Sequence, residues 1–222
     1  MAFTPLGYRI ATVIGMAVTS CMGFFLTKYM GIATALVIAP MALAIITFID
    51  YFAFSGISTR KEKCMEIMKS SVYGTEIVSN ALKTDIILKL ITMVLCFAGT
   101  LVGCIMYEAG LIFVLAVMVT TMAVTELSLI ITRRKGLSVA VHTMVIYIMV
   151  TVEEGALIAL FLGFASGFDE EGGNSLFANI AGPAVLIGMT ALTVLFGILL
   201  YKDCVKGYVS SFSDNSETGE EK

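Results

Sequence analysis

The chain has 222 residues, of which 58% are hydrophobic and 14% charged, and its mean hydropathy is +0.95. That balance excludes a soluble globular domain, which needs a polar surface to face water, and a net charge of −3 excludes the basic face that nucleic acid requires. The cysteines, Cys21, Cys64, Cys96, Cys104 and Cys204, form no CxxC pair, so a metal site or a disulfide framework is not expected, and they read as small core residues.

One crossing of a hydrocarbon core about 30 Å thick takes about 20 apolar residues. The first such run, about 10–27, follows Arg9. Within it Val18-Thr19-Ser20-Cys21 has the form of a lipoprotein cleavage box, but the residues after Cys21 stay apolar, so the segment is expected to remain a membrane helix. The next runs are about 32–54, 86–106 and 111–132, and the last is about 183–200. Tyr8, Tyr29, Tyr51, Tyr107 and Tyr201 stand at their ends as interfacial anchors in a protein without Trp.

The run over 137–168 is too long for one crossing and too short for two. Glu153 and Glu154 resolve it by ending a fifth span near Val152, at the outer interface. Neighbours on a helix point about 100° apart, which sends one carboxylate toward water and the other toward the bundle. The alternative is an acidic lining of an exit path, continued by Asp169, Glu170 and Glu171. The stretch 155–182 then reads as a re-entrant or interfacial element.

The expected fold is all-α: a polytopic membrane protein with six transmembrane helices and both termini cytoplasmic. It comprises one transmembrane domain over 1–202 and a disordered acidic cytoplasmic tail over 203–222. This topology places every basic residue except Lys28 on the cytoplasmic side, Lys83 and Lys89 included. "GTLVG", Gly99 to Gly103, is a GxxxG pattern, expected to serve close helix packing inside the bundle.

Among the loops expected on the cytoplasmic side, only 55–85 is long enough to hold structure. Thr59 and Glu62 fit a capping box, and Cys64, Met65, Ile67 and Met68 form an apolar stripe. Arg60, Lys61, Glu62, Lys63, Glu66 and Lys69 occupy the rest of that short helix. Thr75 caps a second helix, whose Ile77, Val78, Ala81 and Leu82 lead into the third span. The pattern fits a helix lying on the inner leaflet among lipid phosphates, and equally a docking element for a cytoplasmic partner.

"SSVYGTEIVSNALKTD", Ser70 to Asp85, together with Asp50 at the end of span two, resembles the small six-helix permease subunits of ABC-2-type exporters. In that family the loop between spans two and three carries a coupling helix that meets the ATPase, and a segment of Y-x-x-E-I-V character enters span three. Tyr73 and Glu76 fall at the matching positions. The resemblance implies ATPase coupling through Arg60, Lys61, Glu62, Lys63, Glu66, Lys69, Tyr73 and Glu76. It also implies a separate ATP-binding subunit, a homodimer or a second permease subunit, and the cytoplasmic membrane of a prokaryote. The short N-terminus and the small outer loops depart from the family pattern.

An ionised group in hydrocarbon costs about 2.5–3.5 kcal/mol on insertion scales, so each one asks for a reason. Glu126 and His142 lie inside apolar runs, and with Glu153 and Glu154 they are the candidates for a translocation path. Glu126 reads either as a satisfied structural carboxylate or as a coupling group. His142 and Glu153 share a helix face about 16 Å apart, beyond hydrogen-bond reach.

No enzyme is expected, and neither cofactor nor metal. CAAX-type intramembrane proteases carry an Arg where "EEGALI" has Ile158, and His142 is the only histidine. No phosphate-binding G-x-x-x-x-G-K-[ST] loop occurs, so ATP-driven work needs another subunit. The expected function is a membrane-spanning exporter subunit. The alternatives are a stand-alone ion- or proton-coupled transporter using Glu126 and His142, and a membrane immunity or sensor protein.

Overall fold

The computed structural model describes residues 6–59, 73–107, 110–133, 139–165 and 182–217, and among them every element is helical. The helices are α1 (Leu6–Met30), α2 (Thr34–Thr59), α3 (Gly74–Met106), α4 (Leu111–Arg133), α5 (Val139–Ala165) and α6 (Gly182–Glu217). Four stretches are long and apolar enough to cross a membrane: Ile10–Asp50, Lys83–Met106, Leu111–Ile131 and Pro183–Lys202. These are the lengths and compositions of a multi-pass membrane protein.

The first of the four, 41 residues long, is a hairpin rather than one rod. A 3-10 turn at Gly31–Ala33 interrupts it, and Gly31 has φ 57°, a left-handed conformation that glycine adopts without steric cost. Beyond the turn α2 folds back along α1, so that a Cβ at Gly15 would stand 3.5 Å from Cδ1 of Ile45. Pro40 sits inside α2, where it removes one donor from the helix without ending it.

Helix α3 packs parallel to α1, on the GxxxG pattern. The Gly99 amide donates to Ser20 Oγ at 3.0 Å, a contact that only a bare backbone permits, and a Cβ at Gly103 would lie 2.9 Å from Thr27 Cβ. The absent side chains let the two helices approach more closely than ordinary residues allow. The pattern serves packing inside this chain, as its place within one bundle led us to expect.

Helix α4 is the most enclosed: 67% of an 18-residue apolar window within Leu111–Ile131 is buried, against 6% of the corresponding window within Pro183–Lys202 of α6. It joins α2, α3, α5 and α6. Phe113, Val114 and Val117 of α4 meet Ile38 and Ile46 of α2 and Phe97 of α3 in one apolar cluster. The hydroxyls of Thr120, Thr121 and Thr125 are buried too, and each donates to a carbonyl one turn back in its own helix, at 2.7–2.9 Å. Back-bonding of this kind lets threonine sit in an apolar interior without an unsatisfied donor.

Two helices are longer than anticipated. Helix α5 continues through Val152 to Ala165, because Glu153-Glu154-Gly155 ends no helix when the preceding turns are formed and the next residues are good formers. Helix α6 continues to Glu217, through part of the tail for which no structure was expected, by the same low cost of extending an existing helix. Thr59, expected to cap the docking helix over 59–70, is the last residue of α2, while the rest of that helix and most of the re-entrant element expected over 155–182 lie outside the described residues.

Candidate functional site

One end of the bundle gathers charge. Asp50 stands in the second half of α2, and Asp85 and Lys89 stand one turn apart on α3. The Lys89 ammonium donates to Asp50 Oδ1 at 2.6 Å and to Asp85 Oδ2 at 2.5 Å. Lys89 is 5% exposed and Asp50 2%. Two charge-assisted bonds at such separations offset a desolvation that would otherwise expel an ammonium from this interior.

Sequence reading counted Lys89 among the cytoplasmic charges and gave it no partner; the structure buries it. The residue is inside the bundle, because Asp50 arrives from a helix 39 residues earlier to meet it.

Glu126 of α4 is also buried, at 4%, and its Oε2 has no hydrogen-bond partner. It lies over the backbone of α6, where a Cβ at Gly197 would come within 3.3 Å of Oε1. The Lys89 charge acts on it across the bundle. Asp50 and Asp85 thus both bind Lys89, whose charge also acts on Glu126.

Four residues beyond Gly197, Tyr201 Oη and Ser79 Oγ of α3 are 2.6 Å apart, and Lys83 Nζ stands 6.0 Å from the Tyr201 ring centre. These contacts tie α6 to the same end of α3.

Glu153 is elsewhere. On α5, Glu153 and Leu157 are the buried positions among the residues whose burial is described, one turn apart on the face toward the bundle. Glu153 is 0% exposed and neither carboxyl oxygen has a hydrogen-bond partner. Its polar neighbour is Thr121, near the middle of α4. Glu153 therefore lies at mid-bundle, not at an outer boundary. Sequence counting used charge to mark the edge of the membrane, whereas packing against α4 admits this carboxyl to the interior. Glu154 is exposed, so the pair does divide between two environments.

The remaining predicted residues are scattered. Tyr73 is exposed in the turn before α3, and Glu76 is exposed in the first turn of α3. His142 lies in the first turns of α5. Arg60, Lys61, Glu62, Lys63, Glu66 and Lys69 lie outside the described residues.

Of the groups that sequence reasoning singled out for a path, the structure buries Glu126 of α4 against α6 and Glu153 of α5 against α4. It adds Asp85 and Lys89, whose signal was their four-residue spacing, and joins to them Asp50, which sequence reading had singled out only through the permease resemblance. No protein-family model, curated protein or solved structure matches the chain.

Proposed function

We propose that the chain is the membrane-spanning permease subunit of an exporter driven by a separate ATP-binding subunit. In this reading six helices cross the cytoplasmic membrane with both termini cytoplasmic. Two copies, or one copy and a related permease, enclose the path.

The observation that carries the reading is the Lys89 clamp. The segment with the coupling-helix pattern leaves α2 after Asp50 and rejoins the bundle in α3 before Asp85, and Lys89 binds both carboxylates. The two roots of the loop are latched to each other inside the bundle. A push delivered to the loop is then shared by α2 and α3 together, and α3 passes it on to α6 through Ser79 and Tyr201. The resemblance of 70–85 to exporter permeases supports the same conclusion.

The test is to tag the chain, extract it in mild detergent from its native host and identify what co-purifies. A stoichiometric ATPase is the expected result. Its reproducible absence, under conditions that keep known transporters whole, would sink the proposal.

A second reading, a stand-alone ion- or proton-coupled transporter, is favoured by the buried Glu126 and Glu153. It becomes the better one if the chain moves substrate in vesicles without any ATPase.

A further inference from the structure

A fully buried carboxyl with no hydrogen bond is among the costliest side chains an apolar interior can hold, and in practice such a group is relieved by taking up a proton or by gaining a partner. Glu153 is in that position. It occupies the narrow stripe through which α5 meets the bundle, where Leu157 one turn away is of the type expected.

The neighbouring hydroxyl decides which relief the site offers. Thr121 Oγ1 already donates its one proton to the Val117 carbonyl at 2.9 Å. While that bond holds, Thr121 offers Glu153 lone pairs only, which suits a neutral carboxylic acid; turning the hydroxyl toward Glu153, the contact that would favour the ionised form, breaks the bond to Val117. Thr125 and Ser128 extend the same pattern along α4: their hydroxyls donate to the carbonyls of Thr121 and Thr125, each at 2.7 Å, leaving their lone pairs free.

Charged groups on the packed helices do not alter the balance. Glu154, next along α5, is the charge that acts on Glu153, and it has the same sign. His142 lies eleven residues earlier on α5. On α4, Glu126 is turned to α6 and to Lys89, and on α2, Asp50 is held by Lys89.

We infer that Glu153 is a proton-binding site: a buried carboxyl between α4 and α5 that takes a proton from water, becomes a neutral acid, and donates its O–H to Thr121. The ligand is the proton itself. The inference does not rest on the ATPase reading, since a proton site is compatible with either source of driving force.

The experiment is infrared spectroscopy of the purified full-length protein in lipid bilayers, following the C=O stretch of protonated carboxyl groups as pH is raised and as water is exchanged for deuterium oxide. Wild type is expected to show a carboxylic acid band that shifts in deuterium oxide and is lost at high pH. Glu153→Gln is expected to lack it while folding as well as wild type, because an amide replaces a neutral acid in size and polarity. Glu126→Gln is expected to retain it. A band unchanged in Glu153→Gln overturns the inference, and so does a wild-type protein that shows no carboxylic acid band at any pH, a readout that does not depend on the variant folding.

Discussion

The ammonium of Lys89 lies 2.6 Å from Oδ1 of Asp50, and both residues are almost wholly removed from solvent. The pair joins α2 to α3, the two helices between which the segment 60–73 runs. Removing the cation leaves Asp50 without the charge that compensates its burial, and breaking a buried pair from one side costs about 3–5 kcal/mol. Lys89→Met is therefore expected to lower the unfolding temperature in detergent sharply. The double variant Asp50→Asn with Lys89→Met is expected to regain part of the loss. Additive effects in this double-mutant cycle would show that the two groups are not coupled.

The Gly99 amide donates to Ser20 Oγ, and a Cβ added at Gly99 would overlap the Ser20 carbonyl. Backbone cannot step aside as a flexible side chain can. Gly99→Ala is expected to force α1 and α3 apart and to cost about 1–3 kcal/mol, the usual scale of overpacking. Gly188, where an added Cβ meets nothing within 4 Å, is the matched control. Equal unfolding temperatures for Gly99→Ala and Gly188→Ala would refute the close approach.

The Ser79 and Tyr201 hydroxyls, 2.6 Å apart, link α3 to α6. Ser79→Ala and Tyr201→Phe are each expected to cost about 0.5–1.5 kcal/mol, and the double variant about as much as either alone. If the two losses simply add, the hydroxyls do not hold the helices to each other.

Glu126 rests on the α6 backbone at Gly197 and feels the Lys89 charge. If its carboxylate works in transport, Glu126→Gln keeps the folded protein and loses uptake or efflux in vesicles. Retained transport would assign Glu126 a structural role. Gly197→Ala, whose new methyl would press on Oε1, is expected to reproduce the defect in milder form.

On the proposed exporter reading, with a coupling helix and a separate ATPase, reversing charge at Arg60, Lys61 and Lys63 is the direct test. Insertion into the membrane is expected to be unchanged and association with the ATPase lost. ATPase recovery equal to wild type in a pull-down would remove these residues from the interface.

Much of this molecule is legible without coordinates. Apolar runs of about 20 residues can satisfy their backbone groups in a bilayer only as helices, so the helical class and the positions of the long elements follow from length and composition alone. Gly99 and Gly103 announce a close helix contact through their spacing. Glu126 is conspicuous because a lone carboxylate in an apolar run must be accounted for.

What tertiary structure alone decides is which charges are inside. Lys89 and Asp85 read as boundary residues until Asp50, from a helix 39 residues away, supplies the second carboxylate that lets the ammonium be buried. Glu153 reads as the end of a span until α4 packs against it and places Thr121 beside it. Hydropathy averages over neighbours in the chain, whereas the cost of burying a charge depends on neighbours in space. The helices are therefore written locally, and the polar interior they enclose is settled only when they meet.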